Sequence, residues 1–448
     1  MNKQRAILIQ GGKILTMSPD FGIIEDGYII CKGDRISDMG PCPCPYSNIS
    51  EMDIIHAEEM LVMPGLINTH THAPMSLMAG VADDLPLMEW LNHYIFPLEA
   101  GLMSPDFVYQ GSLLAGLSMI RTGTTTVADG YFFETHAVKA INELGMRGVM
   151  AQGIIDFPNP HYPNPHAGFQ AIADFIQEWQ GSALITPALF CHSPYTCSPE
   201  TLTQALSLAE EKGVLYMTHL SETGDEVEQI KQRYGTTPVR HLERLGILGP
   251  HLLAVHCVCL DDEEIRILAE HQVKVAHCPE SNMKLAAGIA PVPGLLEAGV
   301  TVGLGTDGCA SNNNLDMFQE MDMAAKLHKV ATLDPTVMDA QTTLEMATIR
   351  AARALGIEDE VGSLEPGKKA DIICLDLNQP HLTPLYHIPS QIVYAASGLD
   401  VDTVIINGEI RLQNRCFTKC DPREILREVK KWGERISEEI LVPGLNVH

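Results

Sequence analysis

Short apolar runs alternate with polar turn residues at both ends of the chain, whereas the middle alternates apolar runs with stretches of helical period. Over residues 1–60 the runs Ala6-Ile7-Leu8-Ile9, Lys13-Ile14-Leu15-Thr16 and Tyr28-Ile29-Ile30 are punctuated by Gly11-Gly12, Asp26-Gly27 and Lys32-Gly33-Asp34. That is the pattern of β-hairpins. The far end repeats it with Asp371-Ile372-Ile373-Cys374-Leu375, then Val404-Ile405-Ile406-Asn407-Gly408-Glu409-Ile410-Arg411, a strand pair about an Asn-Gly turn. Two hairpin-rich ends around a different middle predict one small β-sandwich domain formed by both termini. Residues 1–60 and 361–448 supply it, the latter including a C-terminal helix.

In the middle, 61–360, apolar runs end near Ile67, Asp129, Ile155, Phe190, His219, His256, His277 and Asp307, each followed by a loop and a helical stretch. Eight strand–helix units predict a (β/α)8 barrel of the α/β class. A doubly wound open sheet is the alternative, but no G-x-G-x-x-G follows the first strand. Helical character is clearest from Pro199 to Lys212, stopped by Gly213, and from Asp261 to His271. Residues 320–356 read as further helices of the barrel wall. The connection from Ala73 to Gly101 exceeds ordinary loop lengths and carries Met75, Leu77, Met78, Leu85, Trp90 and Phe96. It reads as an apolar lid over the site, with an extra helix packed on the barrel as the alternative. Pro158 to Pro165 is too rich in proline for a helix.

Composition sharpens this picture mainly by exclusion. Hydrophobic residues at 45% and charged residues at 19% predict a packed core. A formal net charge of -27 argues against nucleic acid and anionic membranes as partners, since both are polyanions. No long apolar span and no signal-peptide pattern is visible, so a cytoplasmic protein is expected. The twelve cysteines read as reduced thiols. Cys42 with Cys44, and Cys257 with Cys259, lack the second pair that a structural zinc site needs.

The candidate chemistry starts at Met60 to His72, MLVMPGLINTHTH. His70 and His72, two apart on an extended chain, point to one face as a divalent-metal clamp. Active sites of such barrels sit where the strands end. Polar residues there are His70, His72, Asp129, His192, His219, His256, His277 and Asp307. One strand-end histidine is ordinarily a core residue; the convergence of several points to a metal. Three imidazoles and a carboxylate, His70, His72, His219 and Asp307, suit one divalent ion with a position open for water. Zinc is the first expectation, and iron(II) or manganese suits the same ligands. No lysine ends the fourth strand to bridge a second ion, so the site is expected to be mononuclear. Such an ion lowers the pKa of a water toward neutrality. Glu222, three residues after His219 in THLSE, is the candidate proton shuttle, with an ordinary loop glutamate as the alternative. His256 is placed to polarise the water or to support the ligands, and Asp307 to ligate and accept a proton.

The motifs PGLINTHTH, HLSE, VAHC with CPESNMKL, GLGTDGCASNNNLDM and SLEPGKKADIICLD, in this order, resemble the amidohydrolase superfamily. The likeness is strongest to its 5'-methylthioadenosine/S-adenosylhomocysteine deaminases, which are similar in turn to triazine chlorohydrolases and cytosine deaminase. The resemblance implies hydrolytic deamination of the adenine 6-amino group of methylthioadenosine, S-adenosylhomocysteine or adenosine. Triazine hydrolysis and guanine or cytosine deamination are the rival activities on the same scaffold. His70, His72, His219 and Asp307 match the family's metal ligands. Glu222 matches the residue that protonates the purine ring nitrogen, and His256 with Asp307 the pair that activates water. Glu99, in IFPLEAG, matches the residue holding the ribose hydroxyls, and His192, in HSPYTCS, a substrate contact. A small nucleoside substrate and a homo-oligomer are implied as well. One departure is Gln152, in AQGIID, where many members carry arginine; it points to small, uncharged 5'-substituents rather than the homocysteine carboxylate.

Overall fold

The computed structural model describes residues 6–19, 22–46 and 52–440. Eight parallel strands, each hydrogen-bonded to its sequence neighbour, form the central sheet: Leu66–Thr71, Thr124–Tyr131, Arg147–Ile154, Ile185–Cys191, Tyr216–Leu220, Leu252–His256, Lys274–His277 and Thr301–Leu304. The second and third are buried along their whole length, as befits strands covered by helices on one side and by one another on the other. Ile67, Ala128, Val149, Ala151, Phe190, Met217, Val255 and Ala276 fill the interior. Alternate residues such as Met150, Ile154 and Ala254 join the outer layer with the helices. The expected (β/α)8 architecture is thus the observed one.

Side chains close the seam between first and last strands. Asn68 Nδ2 donates to Thr306 Oγ1 (2.7 Å) and Thr306 N donates to Asn68 Oδ1 (3.1 Å). Thr69 Oγ1 donates to Leu304 O (2.8 Å), and Asp307 N to His70 O (3.0 Å). A Cβ on Gly305 would lie 2.8 Å from His70 N, so glycine is what permits this approach. The closure sets His70 beside Asp307.

Local signals explain the helices. Pro199–Lys212 is capped by Ser198 Oγ and ended by Gly213 in the left-handed region (φ 64°). Asp261 and Glu264 form a capping box on Asp262–Glu270. The wall is completed by Met317–Thr332, Ala340–Met346 and Ile349–Leu355.

The termini interleave in a second layer. Met60–Pro64 pairs in parallel with Lys13–Leu15 and antiparallel with Ile372–Asp376, inside a seven-stranded sheet. This sheet faces a four-stranded one, and Ile9, Ile29, Val62, Ile372 and Ile405 share the core between them. The apolar run Leu61-Val62-Met63 therefore belongs to this sheet, and the barrel starts at Leu66. Hydropathy does not register the change, because both sheets want the same apolar strand and the switch is made by Gly65 between them. The last helix, Pro422–Ile440, returns to the barrel and sets Trp432 edge-on to Phe107 (5.4 Å). No helix of the described residues is long and apolar enough to cross a membrane. All twelve cysteines are free thiols.

Candidate active site

The C-terminal mouth of the barrel opens into a chamber of about 300 Å³, lined among others by His72, Glu99, His192, His219, Glu222, His256 and Asp307. The segment after the first strand covers it. That segment folds as a 3-10 helix (Ala73–Met78), a short helix (Leu87–Trp90), a π-helical turn (Leu91–Ile95) and an α-helix (Phe96–Leu102). Trp90, Leu91, Ile95, Phe96, Glu99, Ala100 and Met103 all face the chamber, so the expected lid is present and is helical. Phe157, Pro158, Asn159 and Pro160, at the start of the proline-rich loop, line the chamber as well, and Phe157 meets Phe96 of the lid at a centroid distance of 5.8 Å.

At the chamber floor, ring nitrogens converge. His219 Nε2 lies 3.2 Å from His70 Nε2, and Asp307 Oδ1 lies 3.5 Å from His70 Nε2 and 3.4 Å from His72 Nε2. Ligand atoms of His70, His219, His256 and Asp307 all lie within 4.8 Å of one another. Tautomers separate ligands from donors in this group. His72 Nδ1 is 2.7 Å from Gly130 O, an acceptor only, so the ring's proton is on Nδ1 and its Nε2 lone pair is free to ligate. The Asn282 amide, oriented to donate to His256 Nδ1 (3.0 Å), leaves the His256 proton on Nε2, facing Glu222 Oε1 at 3.8 Å. The converging group thus holds His256 in the place of the expected His72; His72 Nε2, 3.4 Å from Asp307 Oδ1, keeps its lone pair turned toward the same point, so the expected set His70, His72, His219 and Asp307 can hold a divalent cation with His256 as a hydrogen-bond donor beside it.

Electrostatics agree with these roles. Burial pushes His70 and His256 down to about 4 and His219 well below its ordinary value, keeping the imidazoles neutral. Burial also pushes His192 down to about 3. For Asp307 burial acts upward, but the His70 hydrogen bond and the facing His256 and His72 hold the carboxyl well below the usual range. Its Oδ2 accepts from Ser281 Oγ (2.7 Å) and Ser311 Oγ (3.0 Å), which leaves Oδ1 aimed at the imidazoles. Glu222 goes the other way: burial, with Asp307 close by, pushes it up to about 8. Burial thus favours the acid form of Glu222 while the facing imidazoles favour the carboxylate form of Asp307, the opposed tuning that acid–base catalysis uses. Glu99, raised to about 7 by burial, accepts a short hydrogen bond from Tyr131 Oη across the chamber.

Backbone strain sits at the same place. Ser221 (φ 51°), His256 (φ 74°) and Asp307 (φ 60°) all adopt left-handed conformations that cost non-glycine residues on the order of 1–3 kcal/mol each. Glu226 holds the Glu222 loop by accepting from Ser221 N (3.0 Å) and Glu222 N (2.7 Å).

Three strand-end positions play other parts. Asp129 Oδ1 accepts from Thr71 Oγ1 (2.7 Å) and Ala73 N (2.6 Å), so it braces the clamp from behind. His277 pairs with His328 outside the barrel lumen (Nε2 to Nε2, 3.1 Å). Gln152 points away from the chamber: its Oε1 accepts from Glu134 N (3.1 Å) and its Nε2 donates to Gly153 O (3.1 Å). The bearing of Gln152 on the 5'-substituent accordingly does not rest on contact with the chamber. Sequence reading missed Ser281, Asn282, Ser311 and Glu226. Ser281, Asn282 and Ser311 lie within the quoted motifs CPESNMKL and GLGTDGCASNNNLDM, which gave them no individual role, and Glu226 carried the Thr-x-x-Glu of a helix start at Thr223, although its carboxylate binds the preceding loop instead.

The amidohydrolase family model matches residues 61–411. A 5-methylthioadenosine/S-adenosylhomocysteine deaminase of Syntrophobacter fumaroxidans is 47% identical, over 96% of this chain and 98% of that one. A 5'-deoxyadenosine deaminase of Methanosarcina acetivorans is 44% identical over 96% and 98%. Among solved structures, an adenosine deaminase from Xanthomonas campestris with bound zinc superimposes with a TM-score of 0.93 at 38% identity, covering 96% of this chain and 98% of that one.

Proposed function

The chain belongs to the amidohydrolase family, and from that premise we propose that it hydrolyses the 6-amino group of adenosine-type nucleosides, releasing ammonia and the inosine-type product. The observation that carries this reading is the buried Glu222, its Oε1 3.8 Å from His256 Nε2, beside the converging His70, His219 and Asp307 in one chamber. The names of the relatives support the substrate class.

His70, His72, His219 and Asp307 would hold a divalent ion, zinc in this reading, which would lower the pKa of a water so that hydroxide is available at neutral pH. The protein does the rest. Glu222 gives its proton to N1 of the ring, which makes C6 electrophilic as oxygen adds to it. His256 donates from Nε2 to the added oxygen. Asp307, its Oδ2 held by two serines, takes the proton from that oxygen through Oδ1 and delivers it to the amino group. Ammonia departs, and C6 keeps the oxygen as a carbonyl. His192 contacts the substrate and Glu99 receives the ribose hydroxyls. A cytoplasmic homo-oligomer belongs to the same reading and is checked by sedimentation of the purified enzyme.

The test is ammonia release from a panel of adenosines, guanine, cytosine and triazines on the metal-loaded protein. Adenosines are expected to lead; a preference for a triazine or for guanine would overturn the proposal. Glu99→Ala is expected to raise KM about tenfold or more for nucleosides while leaving free adenine unaffected, the scale of a lost charge-assisted hydrogen bond. Equal effects on both would remove the ribose role.

A pH profile follows from Glu222. As an acid it is loaded below its pKa of about 8, so kcat/KM is expected to fall as pH rises through that value. A bound dication favours the carboxylate and moves this limb only downward. Activity undiminished at pH 10 would contradict the assignment.

A further inference from the structure

We propose that Asp83, Lys284 and Asn313 form a latch that holds the lid closed over the chamber, and that Lys284 is a positioning residue for the reaction. The role in turnover rests on the deaminase reading above, whereas closure of the lid does not.

Lys284 ends the short helix Pro279–Lys284, and its neighbour Leu285 lines the chamber. The Lys284 ammonium donates to Asp83 Oδ1 in the lid (2.7 Å), to Ala310 O (3.4 Å) and to Asn313 Oδ1. Asn313 Nδ2 donates in turn to Asp83 Oδ2 (3.0 Å), so both oxygens of one lid carboxylate are gripped. The Lys284 and Asp83 side chains are 22% and 32% exposed. Such a pair is partly shielded from water, which strengthens it, yet salt still reaches it.

The lid segment needs this hold. Gly80 (φ 79°), Ala82 (φ 57°) and Asp84 (φ 63°) are all left-handed within five residues. For Ala82 and Asp84 that conformation is strained and persists only where the surroundings impose it. Asp83 stands between these two. The helices that follow carry Trp90, Leu91, Ile95, Phe96 and Glu99 to the chamber, so release at Asp83 lets the segment relax and frees the cover to swing outward.

The latch also ties the cover to the floor of the site. Pro279–Lys284 carries Ser281 and Asn282, which bind Asp307 and His256. Cys309–Asn312, ended by Asn313, carries Ser311, the second donor to Asp307. The two elements that set the acid–base groups are therefore the two that hold the lid, and closure around substrate coincides with an ordered site.

The experiment follows amide hydrogen exchange by mass spectrometry and steady-state kinetics with adenosine, on the metal-loaded wild type, Asp83→Ala, Asp83→Asn and Lys284→Met. In Asp83→Ala the amides of residues 79–102 are expected to exchange about tenfold faster, the scale of a lost charge-assisted hydrogen bond, with the barrel strands unchanged. KM should rise by about the same factor while kcat stays within about threefold of wild type. Lys284→Met should reproduce both changes, and Asp83→Asn, which keeps an acceptor without the charge, should recover part of KM. Adenosine is uncharged, so a wild-type KM that climbs as potassium chloride goes from about 0.05 to 1 M reports the ion pair, and this climb should be absent from Asp83→Ala. Unchanged lid exchange in Asp83→Ala and Lys284→Met, or faster exchange spread over the whole chain, overturns the latch. Faster lid exchange with KM and kcat both unmoved overturns the positioning role. Absence of ammonia from the wild type overturns the deaminase reading and leaves the exchange result to decide the latch.

Discussion

Glu222→Gln is expected to lower kcat by at least about a hundredfold while the protein retains its full complement of metal. Glutamine preserves the shape of the side chain and can still donate an amide hydrogen bond, but it cannot give up a proton to a ring nitrogen. General acid–base catalysis contributes on the order of 10²–10⁴-fold, and that is the interval in which the loss should fall. Because the proton is needed only as C6 is attacked, kcat and kcat/KM should drop together, with KM little changed. Elemental analysis separates this outcome from a damaged metal site, for Glu222 faces His256 at 3.8 Å and is not one of the converging ligands. The variant carries a second signature: the alkaline limb assigned to Glu222 should disappear from its residual activity, since the titrating group is gone. Turnover within threefold of wild type would end the proton-donor role.

The eight-strand order was legible because each barrel strand is a short apolar run followed by a capped helix, and both signals are local. The direction of individual strand-end histidines was not. In the sixth and seventh strands Val255 and Ala276 point into the barrel, so simple alternation sends both His256 and His277 outward. His277 goes outward, to His328. His256 is turned back into the chamber by its left-handed backbone at φ 74°, a conformation that no hydropathy pattern announces. The first strand shows the same effect. Ile67 faces the interior, and only a register irregularity between Asn68 and Thr71 brings His70 and His72 to the site.

Ser281, Asn282 and Ser311 stood inside the quoted motifs, but their roles were hidden for a related reason. Their importance comes from which atoms they touch, Asp307 Oδ2 and His256 Nδ1, and short polar residues in loops have many other uses. Glu99 lay at the opposite extreme. Nothing in its local sequence sets it apart, and its buried pairing with Tyr131 appears only once the lid is folded over the second strand.

Exhaustive chelation should abolish turnover and destabilise the fold, and readdition of a divalent ion should restore both. Activity is lost because the chain offers no base able to ionise water unaided: burial keeps His70, His219 and His256 weak as bases, and Asp307 is a weaker base still. Stability falls because a ligand that binds only the native state contributes RT ln(1 + [L]/Kd), about 4 kcal/mol at a thousandfold excess over Kd. A Tm reduction of about 4 °C follows for a chain of 448 residues. Protons compete for the same nitrogens, so metal release should also set in as pH falls toward the value near 4 of His70. Asp307→Asn separates the two functions of that residue. Asparagine can still accept from Ser281 and Ser311, so the fold should survive, but it cannot hold a proton in transit and binds a cation less strongly. Excess zinc should therefore refill the variant without returning its turnover, whereas the chelated wild type recovers fully. If the chelated wild-type protein kept its activity, the converging imidazoles would have to be explained as a buried structural cluster, and the source of the nucleophile would lie elsewhere.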